Sequence, residues 1–154
     1  MTTLMRASAE WSSRPADQRF KSLDDLAASV NATRARARES HNVPYKTLRV
    51  EAADGEIKLI GPANVPASLT HWSFGQLASR LEAPANYLRT LSPTLATQNL
   101  NYKLARLGDD EDESLRTTKL LLDVDGTYKV RALTGEGYSR IWNVDIRDRN
   151  QGIN

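Results

Sequence analysis

The chain contains no cysteine. Disulfide scaffolds, cysteine-ligated zinc or iron–sulfur sites and thiol chemistry are therefore excluded. A cysteine-free chain fits a reducing compartment. The opening residues, Met1-Thr2-Thr3-Leu4-Met5-Arg6, hold no apolar segment of the length a secretory signal requires, so a cytoplasmic location is expected. Long apolar runs are missing as well. The longest purely aliphatic stretch is Leu120-Leu121-Leu122, whereas a membrane-spanning helix needs ~20 residues, and no membrane association is expected. Histidine is scarce. The two present, His41 and His71, fall in different loops, and neither has a carboxylate pair beside it at metal-ligand spacing. Phosphate loops and nucleophile elbows are lacking. Gly135-Glu136-Gly137 is not followed by the third glycine of a dinucleotide-binding motif. Asp123-Val124-Asp125-Gly126 opens like a calcium loop but lacks the bidentate glutamate further on. A non-enzymatic protein with no metal and no cofactor is the expectation.

What is present is an ordinary globular composition. The chain has 154 residues, 40% hydrophobic and 26% charged, which suits one soluble domain. The net charge of +2 hides an asymmetry. Asp109, Asp110, Glu111, Asp112 and Glu113 are consecutive, and outside them 21 basic residues face 14 acidic ones, a net +7. A mildly basic body with one acidic loop is suited to meeting a phosphate backbone on one face.

The local signals order themselves as helix, hairpin, helices, hairpin and tail. Residues 1–21 read as an irregular arm, broken at Ser12-Ser13-Arg14-Pro15. Ser22 precedes Leu23, Leu26, Ala27 and Val30, a one-face helical spacing, with Asp24 and Asp25 favoured by the dipole in the first turn. This helix is expected to reach about Arg38, where Arg34 and Arg38 would share a face, and to break over His41–Pro44. Lys46–Val50 and Glu56–Leu59 alternate around Asp54-Gly55, the pair a tight primed turn accepts. Three helices are expected over 73–107. Ser73 would cap the first, with Gln76 at the capping-box position. Pro84 would open the second and Ser92-Pro93 the third, whose stripe is Ala96, Leu100, Leu104 and Leu107. Gly108 and the acidic run read as a solvated loop. Thr117–Val124 and Thr127–Leu133 form a second hairpin through Asp125-Gly126. The expected fold is α+β, a single domain over 22–146 built of two β-hairpins and a central cluster of short helices, with 147–154 a frayed tail.

The strongest chemical pattern runs from Phe74 to Leu91 and is like a helix-turn-helix. Ala78 is the small residue such a crossing needs, and Leu77, Leu81, Leu88 and Leu91 pack the helices. The turn usually carries glycine, because it requires positive φ, and Glu82 stands there instead. On this reading the helix from Pro84 contacts nucleic acid. Asn86, Arg89 and Thr90 face outward, and Arg80 and Lys103 lie near phosphates. The acidic run Asp109–Glu113 supports a different partner. A dense negative stretch imitates a nucleic-acid backbone and can occupy the basic groove of a host defence protein.

Four stretches together carry a family resemblance. They are Trp11-x-x-Arg14-Pro15-x-Asp17-x-Arg19-Phe20-x-Ser22-Leu23; Leu77-Ala78-x-x-Leu81-x-x-Pro84-x-x-Tyr87-Leu88; Leu100-Asn101; and Arg131-Ala132-Leu133-x-x-x-Gly137-Tyr138-x-x-Ile141-Trp142-Asn143. In this order they resemble the phage- and plasmid-like family known as domain of unknown function 932. Members usually continue past the last stretch, so the chain corresponds to a short form or to the front part of a longer fold. The resemblance implies mobile-element biology, hence DNA handling or interference with host defence, and supplies no catalytic residues.

Overall fold

The computed structural model describes residues 19–138. The expected arm, apart from 19–21, and the whole of the expected tail lie outside the described residues. The chain divides into two units, the second beginning at Arg36, and each is described by itself.

Helix α1 (Leu23–Arg36), which lies in the first unit but for its last residue, starts as its sequence dictates. The Ser22 hydroxyl accepts the Asp25 N–H at 3.0 Å, and Asp24 and Asp25 occupy the first turn. No residue of α1 is buried, and Leu23 remains 82% exposed.

The helix does not run on to Arg38. The chain becomes strand β1 (Ala37–Pro44), paired antiparallel with β5 (Thr117–Val124) from Ala37↔Asp123 to Pro44↔Thr117. Arg34 and Arg38 therefore share no helical face, and His41–Pro44 is strand rather than breaker. Tertiary pairing overrides the local helical preference here. The apolar centre of β5 leaves backbone donors and acceptors that β1 satisfies. A register shift between Ser40 and Val43, with Asn42 at φ 52, bends the strand.

Strands β2 (Arg49–Ala53) and β3 (Glu56–Ile60) meet at Asp54 and Gly55, whose φ angles of 54 and 75 both lie in the left-handed region. Two successive positive φ angles match the twist of the flanking strands. Strand β4 (Pro66–Leu69), which no sequence pattern marks, pairs antiparallel with β3 and parallel with β6 (Tyr128–Thr134). Among the described residues the strands form one mixed α+β sheet of order β1-β5-β6-β4-β3-β2, in which the expected strand pairs, β2 with β3 and β5 with β6, are bridged by β4 and extended by β1.

Helix α2 (His71–Arg80) is capped by Thr70, not by Ser73. The Thr70 hydroxyl accepts the Ser73 N–H at 3.0 Å. Ser73 is buried in the first turn and donates its hydroxyl to the Val130 carbonyl at 2.7 Å. Gln76 is not part of a capping box either, since its Oε1 accepts the Leu133 N–H at 2.9 Å. Both side chains stitch α2 onto β6. Helix α3 (Ala85–Leu88) is a single turn with Pro84 at its N-cap. Helix α4 (Pro93–Gly108) begins as the sequence dictates, with Ser92 as cap and Pro93 in the first turn. Ala96, Leu100 and Leu104 are fully buried and Leu107 partly so, which matches the expected stripe.

These helices and the sheet enclose one core that includes Leu48, Val50, Leu59, Leu77, Leu100 and Leu133. Full burial of such a side chain stabilises the fold by about 1.5–3 kcal/mol. Tyr45, in a short 3₁₀ turn (Tyr45–Thr47), is the largest fully buried side chain among the described residues. Its hydroxyl accepts the Arg80 Nε–H at 3.1 Å. Gly108 belongs to helix and core, not to a solvated loop. A Cβ placed there would stand 2.9 Å from Lys46 Cβ and 3.0 Å from Lys46 N.

Candidate nucleic-acid interface

The connection from α2 to α3 sets the geometry. Ala83 N–H reaches the Ala78 carbonyl at 2.9 Å, and Glu82 N–H reaches that of Ser79 at 3.1 Å. This is the paired closure that ends a helix on a left-handed residue. Glu82 supplies it at φ 53, so the turn expected of a helix-turn-helix forms without its glycine. The next helix departs from that motif. Helix α3 has four residues, a rise of about 6 Å, against a major groove ~12 Å wide.

The polar residues of this segment serve the fold. Arg89 Nη2 donates to the His71 carbonyl at 2.9 Å, Nη1 donates to Asn86 Oδ1 at 3.3 Å, and the guanidinium lies 5.0 Å from the centre of the Phe74 ring. Thr90 turns its hydroxyl back to the Tyr87 carbonyl at 2.7 Å.

Two adjoining clefts open beside the end of α2. The smaller, about 310 Å³, takes Arg80 and Glu82 from the end of α2 and Lys103, Arg106 and Asp110 from α4 and the turn after it. Lys103, Arg106, Leu107 and Asp110 stand at helical spacing, so one face of α4 and its continuation supplies that wall. The larger, about 930 Å³, shares Arg80, Glu82, Leu107 and Asp110 with it and adds Arg89, His71, Trp72 and Tyr138. Trp72 is 71% exposed and Tyr138 54%. Of the residues singled out in the sequence, the structure brings Arg80 to Lys103 in one cleft and to Arg89 in the other. Asn86 and Thr90 line neither. Sequence reasoning missed Arg106, Trp72 and Tyr138. The i, i+3 relation of Lys103 to Arg106 was a signal that could have found the first of these.

The cations differ in their commitments. Arg80 holds Tyr45, and Arg106 Nη1 donates to the Tyr102 hydroxyl at 2.9 Å. Lys103 has no hydrogen-bond or ion-pair partner among the described residues, which leaves its ammonium available to an anion.

The acidic run is folded locally. Asp109 is the C-cap of α4. Asp110 Oδ1 accepts the Asp112 N–H at 2.9 Å, and Asp112 Oδ1 accepts both Ser114 N–H and hydroxyl, at 2.9 and 2.7 Å. The Ser114 hydroxyl holds the Asp112 carboxyl below its usual range. Arg116 closes the turn, its Nε–H donating to the Asp110 carbonyl and its Nη1 lying 3.7 Å from Glu113. Glu111 is exposed.

Asp123, which opened the calcium-like stretch, is engaged by arginines. Arg36 Nε lies 3.0 Å from Oδ1 and Arg131 Nη2 3.0 Å from Oδ2. Among the described residues no group of three or more His, Asp or Glu side chains is arranged to hold a metal ion, and no helix is long and apolar enough to cross a membrane. No family model, curated protein or solved structure matches the chain.

Proposed function

We propose that this protein is a non-enzymatic accessory factor of a phage- or plasmid-type element and contacts nucleic acid. The observation that carries the contact is the convergence of Arg80, Lys103 and Arg106 on one cleft, with Lys103 unpartnered among the described residues. Phosphate oxygens are the ligands such a group of cations favours. The mobile-element setting is supported by the sequence resemblance alone. The contact surface on this reading is the pair of clefts beside α2, reached by Arg80, Arg89 and Lys103, rather than the single turn of α3.

Fluorescence anisotropy with labelled DNA and RNA, titrated across salt, tests the proposal. Binding should weaken steeply with salt. Lys103→Gln should lower affinity and reduce the log–log salt slope by about one. Absence of binding to any strand at low salt overturns the reading. In that event the acidic run, held in shape by Asp112 and Arg116, supports the second proposal, an inhibitor of a host defence protein. Joint neutralisation of Asp109, Asp110, Glu111, Asp112 and Glu113 would then have to abolish capture of that protein.

A further inference from the structure

We infer that the nucleic acid taken by the larger cleft is an unpaired strand whose bases stack on Trp72 and Tyr138. The inference rests on the proposed nucleic-acid contact and names its substrate class.

Three observations carry it. First, the cleft presents two exposed aromatic rings beside the guanidinium groups of Arg80 and Arg89, which Tyr45 and the His71 carbonyl hold in place. Single-strand binders combine these two elements, rings for base faces and cations for the backbone. Second, both rings stand on anchored backbone. Trp72 lies in the first turn of α2, which Thr70 caps and to which Arg89 is bonded through the His71 carbonyl. Tyr138 closes a turn through its N–H to the Gly135 carbonyl at 3.1 Å, and its own carbonyl accepts Lys119 Nζ at 2.9 Å. A ring on anchored backbone has only its two side-chain torsions to give up when a base covers it. Third, the size of the cleft favours an unpaired strand. A cleft of about 930 Å³ has the size of a small-molecule site, and α3 is too short to read a major groove.

Within the larger cleft Arg80 and Arg89 are matched by Glu82 and Asp110, which suits base faces more than a run of phosphates. The cationic excess lies next to it, where Lys103 and Arg106 join Arg80 in the smaller cleft. A strand stacked in the larger cleft can therefore continue its phosphates toward Lys103 and Arg106.

The test compares four labelled oligonucleotides of equal length: single-stranded DNA, single-stranded RNA, the DNA duplex and an abasic single strand. The unpaired base-bearing strands should bind at least tenfold more tightly than the duplex and the abasic strand. Trp72→Ala should weaken the unpaired strands about tenfold, with Trp72→Phe recovering most of the loss, and should leave the abasic strand unaffected. Trp72 is exposed, so its variants keep the fold, which circular dichroism checks. Equal or tighter binding of the duplex, or equal binding of the abasic strand, overturns the single-strand inference and leaves the nucleic-acid reading intact. Failure of all four strands overturns the nucleic-acid reading itself.

Discussion

The side-chain amide of Asn101 pairs with the backbone of Val50 as a neighbouring strand would. Its Oδ1 accepts the Val50 N–H and its Nδ2 donates to the Val50 carbonyl, both at 2.8 Å. Strand β2 is an edge of the sheet, and Val50 is where α4 crosses it. An unprotected edge is a template for pairing with another chain. Asn101→Leu should destabilise the fold by about 1–3 kcal/mol, since two buried backbone groups lose their partner. It should also make the protein self-associate as concentration rises. Denaturant unfolding and light scattering read the two effects.

Gly108 reports on the contact between the end of α4 and the Tyr45–Thr47 turn. Alanine ordinarily favours a helix over glycine by roughly 1 kcal/mol. Here its Cβ would meet the Lys46 backbone, so the sign reverses. Gly108→Ala should lower stability by about 1–3 kcal/mol, as overpacking does. A raised Tm in Gly108→Ala would contradict the close approach.

Glu82 holds a backbone conformation that costs an L-residue roughly 1–2 kcal/mol. Glu82→Gly relieves that strain while adding unfolded-state entropy. The variant should be neutral or more stable by up to about 1 kcal/mol. Glu82→Val should be destabilising, because a β-branched residue tolerates positive φ least. Thermal unfolding of the pair, compared with wild type, separates backbone conformation from side-chain charge.

Asp123 makes the fold acid-sensitive. Burial raises its carboxyl pKa, but the hydrogen bonds from Arg36 and Arg131 outweigh this and leave it below the usual value. A carboxyl depressed in the folded state contributes stability that is present above its unfolded pKa of about 3.9 and is lost as pH falls through the folded value. Stability should therefore decline on acidification below about pH 4. Asp123→Asn should flatten that part of the profile and weaken the protein at neutral pH by about 1–3 kcal/mol. An unchanged acid limb in Asp123→Asn would remove the two-arginine clamp as its source.

Much of the fold is written in short-range chemistry. Asp54-Gly55 announces its turn because both residues accept left-handed backbone, and Ser92-Pro93 announces α4 because cap and fixed φ stand together. Ser73 misleads for a physical reason. A serine near a helix start reads as a cap, whereas this one spends its hydroxyl on Val130, a residue far along the chain. Strand β1 is hidden because its residues are mostly polar and its pairing comes entirely from β5. Strand β4 is hidden because four residues beginning with proline have no periodicity to show. The site follows the same rule. Arg80, Arg89 and Lys103 are visible as cations, but their sharing of clefts depends on how α4 passes the end of α2. Trp72 and Tyr138 line one cleft only because α2 packs against β6, beyond whose end Tyr138 stands.

The parallel seam between β4 and β6 governs how the sheet can be assembled. Strands β2, β3 and β4 succeed one another and close through short turns, as do β5 and β6. Each group can form from neighbouring chain. The seam spans only Ala67↔Tyr128 to Leu69↔Val130, and between its strands run all the helices that build the clefts. Contacts of such large sequence separation close late, because their loop entropy must be met before they contribute. The meander and the β5–β6 hairpin are thus each closed by local contacts, and the larger cleft, which takes its walls from α2 and from the end of β6, needs the seam between them.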